Sequence, residues 1–313
     1  LVELMLDRFE VGKVLIIAGS KNVSGACILS ASACLRSGAG MVKVLTAIEN
    51  TEIVKSLLPE ALIDVYEDFE PVADKLIKDM EWADAVVIGP GIGIDVKGDE
   101  LLRIVLSKCK KHLVMDADAL NLVSMNLEYR KLLSEYAVAG RKLILTPHLA
   151  EFARLFGKSV SECKENILNF PKELAKELRC TMVCKDARTV VSDSNEKKIY
   201  INVSGNDGMA TAGSGDVLSG IIGALVCLEN SSFEAACLGT YIHGACGDNA
   251  AAKHGKYAMV ASDIAAELED ILKKLADAES REYGIILRAK GMVPDAAGQW
   301  HEFDLTPDEY EIR

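Results

Sequence analysis

Short runs of β-branched and aliphatic residues alternate along the chain with segments whose apolar positions return every three or four residues. Period two, or an unbroken apolar run, marks a strand, and a period near 3.6 marks a helix with one buried face. The runs predict strands at 13–18, 42–46, 85–88, 113–116, 143–146, 182–185 and 198–202, with helices near 25–37, 50–58, 71–80, 99–110, 148–156 and 161–178. Several of these strands are apolar on both faces, as in a parallel sheet covered by helices on each side, so the first two thirds is expected to be doubly wound α/β. From Asp216 onward the pattern is helical only, with segments near 216–228, 232–253 and 260–276. The stretch 217–226 is apolar nearly all round its circumference, which predicts a buried helix. No repeat or low-complexity linker divides residues 1–276, which read as one domain. Residues 277–313 open on a charged stretch and continue as short strands and turns, and they read as a separate short tail.

Composition narrows the function classes. At 313 residues and 50% apolar content the chain can bury a large core. A net charge of −12, no basic run and 5% aromatic residues speak against nucleic-acid binding. No stretch approaches the length of a membrane span, so a cytoplasmic protein is expected. The nine cysteines form no Cys-x-x-Cys pair and sit mostly inside apolar stretches, as reduced core residues do, and neither disulfides nor a structural zinc site is expected. The chain begins with Leu just before the first expected strand and reads as a fragment or a processed chain.

In open α/β sheets, ligands gather beyond the carboxyl ends of the strands. Six polar or glycine-rich loops fall there: 19–26 (Gly-Ser-Lys-Asn-Val-Ser-Gly-Ala), 89–93 (Gly-Pro-Gly-Ile-Gly), 116–121 (Asp-Ala-Asp-Ala-Leu-Asn), 146–151 (Thr-Pro-His-Leu-Ala-Glu), 185–189 (Lys-Asp-Ala-Arg-Thr) and 206–220, which contains Gly-Ser-Gly-Asp at 213–216. The last carries the most information. Glycines let the backbone approach an anion, the first turn of a helix supplies free N–H groups, and Asp216 brings a carboxylate to the same place. Taken singly, each loop has a structural reading. Ser214 or Asp216 could cap a helix, Asp116 and Asp118 could be caps or could meet a ligand or Mg²⁺, and His148 could be a satisfied polar group at a helix start. His243 and Asp248, five residues apart, do not share a helix face well and are read as packing and hydrogen-bonding residues. The Rossmann Gly-x-Gly-x-x-Gly fingerprint is absent, against a dinucleotide domain of that type. The joint occurrence of six loops at strand ends argues for one site.

In this order the loops resemble those of the ADP/ATP-dependent NAD(P)H-hydrate dehydratases, a family of ribokinase-like fold, over roughly residues 10–275. The resemblance implies a three-layer α/β/α architecture with a mostly parallel sheet and a metabolite-repair lyase activity. It would restore NADH or NADPH from the hydrated forms at the expense of ADP or ATP, with Mg²⁺ accompanying the nucleotide. It makes Asp216 the catalytic base and a substrate contact, and it places Ala26, Gly91, Gly93 and His148 against the hydrated dinucleotide. Lys185, Asp186, Ala187, Arg188, Thr189 and Gly215 would hold the adenine nucleotide, and no protein ligand to the metal is named. A functional link to an NAD(P)H-hydrate epimerase and a homo-oligomeric state are also implied. Two positions depart from the family pattern. Asp186 stands where Gly is usual, and Leu149-Ala150 stands where Pro-Gly is usual.

Residues 283–313 resemble a fragment of the C-terminal domain of CobW-type metallochaperone GTPases, but no P-loop accompanies them, so no GTPase activity is implied. This tail is expected to be poorly packed or loosely docked. Two other readings of the whole chain stay open at this level: a ribokinase-like kinase for a vitamin precursor, and a catalytically silent nucleotide-binding protein.

Overall fold

The computed structural model describes residues 12–68, 70–137, 141–194, 198–229 and 231–277, and the backbone of 285–288, 291–294, 300–303 and 311–312. Its architecture follows from side chains that alternate between two cores. Val14 and Ile16 enter one core while Leu15 and Ile17 enter the other, and the same split separates Val87 from Val86 and Ile88, and Val114 from Leu113 and Met115. A sheet that is apolar on both faces must be covered on both, which gives three layers.

In chain order the elements are β1 (Lys13–Ile17), α1 (Ser24–Arg36), β2 (Met41–Ala47), α2 (Thr51–Leu57), β3 (Leu62–Tyr66), α3 (Ala73–Trp82), β4 (Ala85–Ile88), α4 (Val96–Lys108), β5 (His112–Met115), α5 (Ala117–Met125), α6 (Leu127–Ala137) and β6 (Leu143–Leu145). There follow α7 (Leu149–Phe156), α8 (Val160–Glu165), α9 (Phe170–Leu178), β7 (Thr181–Cys184), β8 (Val190–Asp193), β9 (Lys198–Ile201), α10 (Ser214–Leu228), α11 (Ser232–His254), α12 (Ala261–Ala266) and α13 (Leu268–Asp277). Four short strands close the chain: β10 (Ile285–Arg288), β11 (Gly291–Pro294), β12 (Trp300–Phe303) and β13 (Glu311–Ile312).

The main sheet runs β13-β10-β9-β8-β7-β6-β5-β4-β1-β2-β3. From β3 to β7 all neighbours are parallel, and β7, β8, β9, β10 and β13 continue it as an antiparallel edge. The chain winds outward one way from β1 to β3 and the other way from β4 onward. The crevice between β1 and β4 is therefore the topological switch point, where ligands of such sheets bind. The loops that follow these two strands are tied together there, Gly19 N–H donating to Pro90 O at 2.8 Å.

The seven expected strands are all present within a residue or so of their ends, and the ribokinase-like layering holds. Two strands went unforeseen. β3 is an edge strand whose Asp64 interrupts a short apolar run, and β8 is a four-residue antiparallel strand. Helices α5 and α6 were missed too, and the helix expected at 161–178 is two helices, the second carrying Pro at its first turn. The segment 260–276 likewise divides into α12 and α13. Helix α10 is buried throughout Val217–Val226, as its all-round apolar pattern requires. The backbone of β10 pairs antiparallel with β9 and so joins the sheet edge, while the packing of the tail, on which the expected loose docking turns, lies outside the described residues. Among the described residues no helix is long and apolar enough to cross a membrane.

Helix α10 reaches the centre of its layer because α1 passes very close to it. A Cβ placed on Gly220 would lie 2.0 Å from the backbone oxygen of Ser30. Since backbone cannot yield as a side-chain tip can, Gly220→Ala should destabilise the fold by about 2–3 kcal/mol. Urea unfolding checks this, and an unchanged midpoint would show that the two helices separate at little cost.

Candidate active site

Helix α10 begins with Gly213 in the left-handed region (φ 86°), and no side chain caps it. Among the described residues none accepts a hydrogen bond from the N–H of Gly215 or Asp216. Those donors, with the positive end of the helix dipole, form a place for an anion. Neither of the capping alternatives is realised. Ser214 Oγ instead pairs with His243 Nε2 at 3.2 Å, and burial lowers the pKa of that histidine to about 4, so it stays neutral.

Three carboxylates and one ammonium crowd the space before this turn. Lys185, at the end of β7, donates to Asp116 Oδ1 at 2.8 Å, and Asp116 is 1% exposed. Gly215 lies directly against this pair: a Cβ there would sit 3.1 Å from Lys185 Nζ, a tight contact, and 3.5 Å from Asp116 Oδ2, an ordinary one. Burial would lower the affinity of Lys185 for its proton, but Asp116, Glu151 and Asp216 outweigh it and the net shift is upward. Asp216 is shifted upward as well, to about 7, first by burial and then by the charge of Asp116, with Lys185 opposing. A carboxylate whose pKa lies near neutrality, beside a fixed cation and free backbone donors, can take a proton from a hydroxyl while an anion sits on the helix terminus.

The 146–151 loop stands beside this group, through a parallel bridge between His148 and Lys185 and a 2.8 Å bond from Lys185 N–H to Pro147 O. His148 caps α7, so its structural reading is correct in its own right. Its Nδ1 accepts from the N–H groups of Ala150 and Glu151, and its own N–H donates to Glu151 Oε2 at 2.9 Å. Leu149-Ala150 in place of Pro-Gly therefore leaves a regular helix start. An Nδ1 that accepts puts the proton on Nε2, and burial followed by the charges of Lys185 and Arg154 lowers the pKa of this ring. The half-exposed imidazole is thus neutral, and its Nε2 lies 3.3 Å from Glu151 Oε1.

At the switch point the site continues. A Cβ on Gly91 would press on Val23 and on Ala26, 2.9 Å from the latter, so Ala26 and Gly91 meet at the start of α1. Gly93 N–H donates to Asp118 Oδ2 at 2.9 Å. Asp118 also contributes to the upward shift of Asp216, which links this loop to the base. The side chains of Asp116 and Asp118 are therefore turned to other loops and the Asp116 side chain does not cap α5, an alternative that the sequence left open. The 186–189 segment runs outward instead: Asp186, Ala187 and Arg188 are exposed, Arg188 donates to Val203 O, and Thr189 O accepts from Asn202 N–H. The exposure of Asp186 keeps its carboxylate out of the buried cluster. As read from spacing, Asp248 serves structure, holding Gly205 N–H at 2.8 Å and Asn206 Nδ2 at 2.9 Å. Sequence reasoning gave Glu151 no role, though a Glu three residues after a helix N-cap was the signal available.

The family model described as NAD(P)H-hydrate dehydratase matches residues 14–270. A bifunctional NAD(P)H-hydrate repair enzyme of Escherichia coli is 39% identical over 261 residues, 83% of this chain and 47% of that protein. An ADP-dependent (S)-NAD(P)H-hydrate dehydratase of Neisseria meningitidis is 38% identical over 241 residues, 76% of each chain. The chain spans about half the length of the bifunctional relatives it matches. Among solved structures, an ADP/ATP-dependent NAD(P)H-hydrate dehydratase of Bacillus subtilis, co-crystallised with ATP and Mg²⁺, superposes with a TM-score of 0.71 at 26% identity, covering 85% of this chain and 91% of that one. The likeness of residues 283–313 to CobW-type proteins has no support in these matches.

The charge crowding has a cost that can be measured. Because Asp216 holds its proton more tightly folded than unfolded, its ionisation destabilises the fold. The cost is absent below the unfolded value near 3.8, grows as pH rises, and is complete above about 7. Asp216→Asn should then stabilise the protein by about 2 kcal/mol at pH 8, discounted for partial exposure, and by almost nothing at pH 4. Denaturant titrations at the two pH values check this, and an equal gain at both would remove the ionisation argument.

Proposed function

The chain belongs to the NAD(P)H-hydrate dehydratase family, and on that premise we propose that it dehydrates hydrated NADH and NADPH at the expense of ADP or ATP, with Asp216 as general base. The observation that carries this reading is the Asp216 carboxyl, shifted to about 7, on the first turn of α10 beside Lys185.

Hydroxide is a poor leaving group from the hydrated nicotinamide ring, and phosphate is a good one. Asp216 takes the proton of the ring hydroxyl as its oxygen attacks the terminal phosphorus of the nucleotide, and the bond to the bridging oxygen breaks. The developing negative charge faces the N–H groups of Gly215 and Asp216 and the Lys185 ammonium, donors already in place before the reaction. Phosphate then leaves the ring carbon with the C–O electron pair, pushed by the ring nitrogen lone pair, and loss of a proton from the adjacent carbon restores the double bond.

The nucleotide side is assigned to Lys185, Gly215 and the exposed 186–189 turn (Asp186, Ala187, Arg188, Thr189). The dinucleotide side is assigned to Ala26, Gly91, Gly93 and the neutral imidazole of His148. With its N–H already given to Asp118, Gly93 would act through its lack of a side chain, and Ala26, buried, through the surface it forms with Gly91. The absent Cβ at Gly215 and the unpartnered N–H groups suit a polyphosphate. Mg²⁺ would neutralise phosphate charge and enter with the nucleotide, held mainly by phosphate and water. The proposed setting is the cytoplasm, where cysteines stay reduced, and the proposed partner activity is an epimerase that supplies the reactive hydrate epimer.

The test is to incubate the protein with hydrated NADH and ATP or ADP and follow the absorbance of reduced nicotinamide. Recovery is expected, with kcat/KM falling below about pH 7 as Asp216 protonates. Asp216→Asn should lower recovery by about 10²–10⁴-fold while nucleotide still binds. No recovery by a protein that binds nucleotide would overturn the reading.

A further inference from the structure

Between Asp116 and Asp118 the backbone is strained. Ala117 lies at φ 46°, a left-handed conformation that costs a residue with a Cβ of order 1 kcal/mol or more. Asp116 occupies the N-cap position of α5, yet its side chain caps nothing and is turned to Lys185. Two residues on, Asp118 is turned to the amide of Gly93. The bend is held on both sides, by Asp116 N–H on Ile88 O at 3.1 Å and by Ala119 N–H on Asp116 O at 3.2 Å. In a regular helix start these carboxylates would satisfy their own helix. Here they face outward to two different loops.

We propose that the Asp116-Ala117-Asp118 turn is a positioning element that sets the two halves of the site against each other, Asp116 aiming the Lys185 ammonium at the first turn of α10 and Asp118 fixing the 89–93 loop. The assignment of the halves to nucleotide and dinucleotide rests on the dehydratase reading. Neither carboxylate is given a part in bond making: each holds a protein donor with one oxygen, Asp116 Oδ1 with Lys185 and Asp118 Oδ2 with Gly93. Asp116 acts through Lys185, and Asp118 acts through the Gly93 amide. The groups facing Asp216 are Asp116 and Asp118 from this turn, Lys185 from the end of β7, and the neutral thiol of Cys27 from α1, while the charge of Glu151 acts on Lys185 and Asp116. Removing the Asp116 charge therefore does two opposed things. It makes the site more attractive to a polyphosphate, and it leaves the ammonium unaimed and the base weaker.

The experiment compares Asp116→Asn and Asp118→Ala with the unaltered protein, by calorimetric ATP–Mg²⁺ affinity and by steady-state kinetics against both substrates. Asp116→Asn should bind ATP severalfold more tightly, turn over about tenfold more slowly, and move the acid limb of its pH profile to lower pH. A merely damaged fold would weaken binding and would not shift the limb. Asp118→Ala should raise KM for hydrated NADH severalfold at unchanged ATP affinity, and Asp118→Asn, which keeps an acceptor for Gly93, should restore it. Equal effects of both variants on both substrates, or weaker ATP binding by Asp116→Asn, would overturn the proposal. If the unaltered protein binds ATP but restores no NADH, the dehydratase reading fails. The turn is then judged on ATP affinity alone, tighter for Asp116→Asn and unchanged for Asp118→Ala, with any other pattern against it.

Discussion

Everything at the candidate site depends on one electrostatic constraint: Asp116, Asp118 and Asp216 converge toward one end of a helix beside an ammonium, Lys185, that the buried Glu151 also draws on. One cation cannot fully satisfy these anions in a partly dry space, so the carboxylate without a donor of its own must yield. Asp116 is the most buried but has the ammonium at 2.8 Å, and Asp118 has an amide at 2.9 Å. Asp216 has neither and bears the cost, which raises its proton affinity into the range useful to a base.

The fold makes this arrangement affordable. The switch point brings the loops after β1 and β4 together, and the next strands outward, β5, β6 and β7, deliver Asp116, His148 and Lys185 from their carboxyl ends. Helix α10 points its first turn at the same place because its body is buried on all sides against α1, α11 and the sheet. The rigid apolar body stabilises the fold, and the charged turn spends part of that stability on a group that is more stable neutral.

How much of this was legible differs by kind of feature. The parallel core strands announce themselves, because Val14–Ile17 and Ala85–Ile88 are apolar on both faces. β3 and β8 do not, since a short strand with a polar residue at its centre has no pattern of its own. The Gly213–Asp216 loop and its five companions were visible as motifs. The outcome at Asp116 and Asp118 was not, because an aspartate before a helix looks the same whether it caps that helix or turns to a distant lysine. What decides between the two is the left-handed Ala117, and alanine gives no warning of such a conformation. Asp186 is the converse case: it stands out in the sequence as a departure from the family's Gly, and its exposure comes from a turn that no local pattern fixes.

The most direct measurement of the central claim is the proton affinity of Asp216 itself. Carboxyl-carbon NMR of aspartate-labelled protein, assigned by comparison with Asp216→Asn, follows that one group through a pH titration without any substrate. The account predicts a midpoint near pH 7. A midpoint near 4, the ordinary aspartate range, would contradict it.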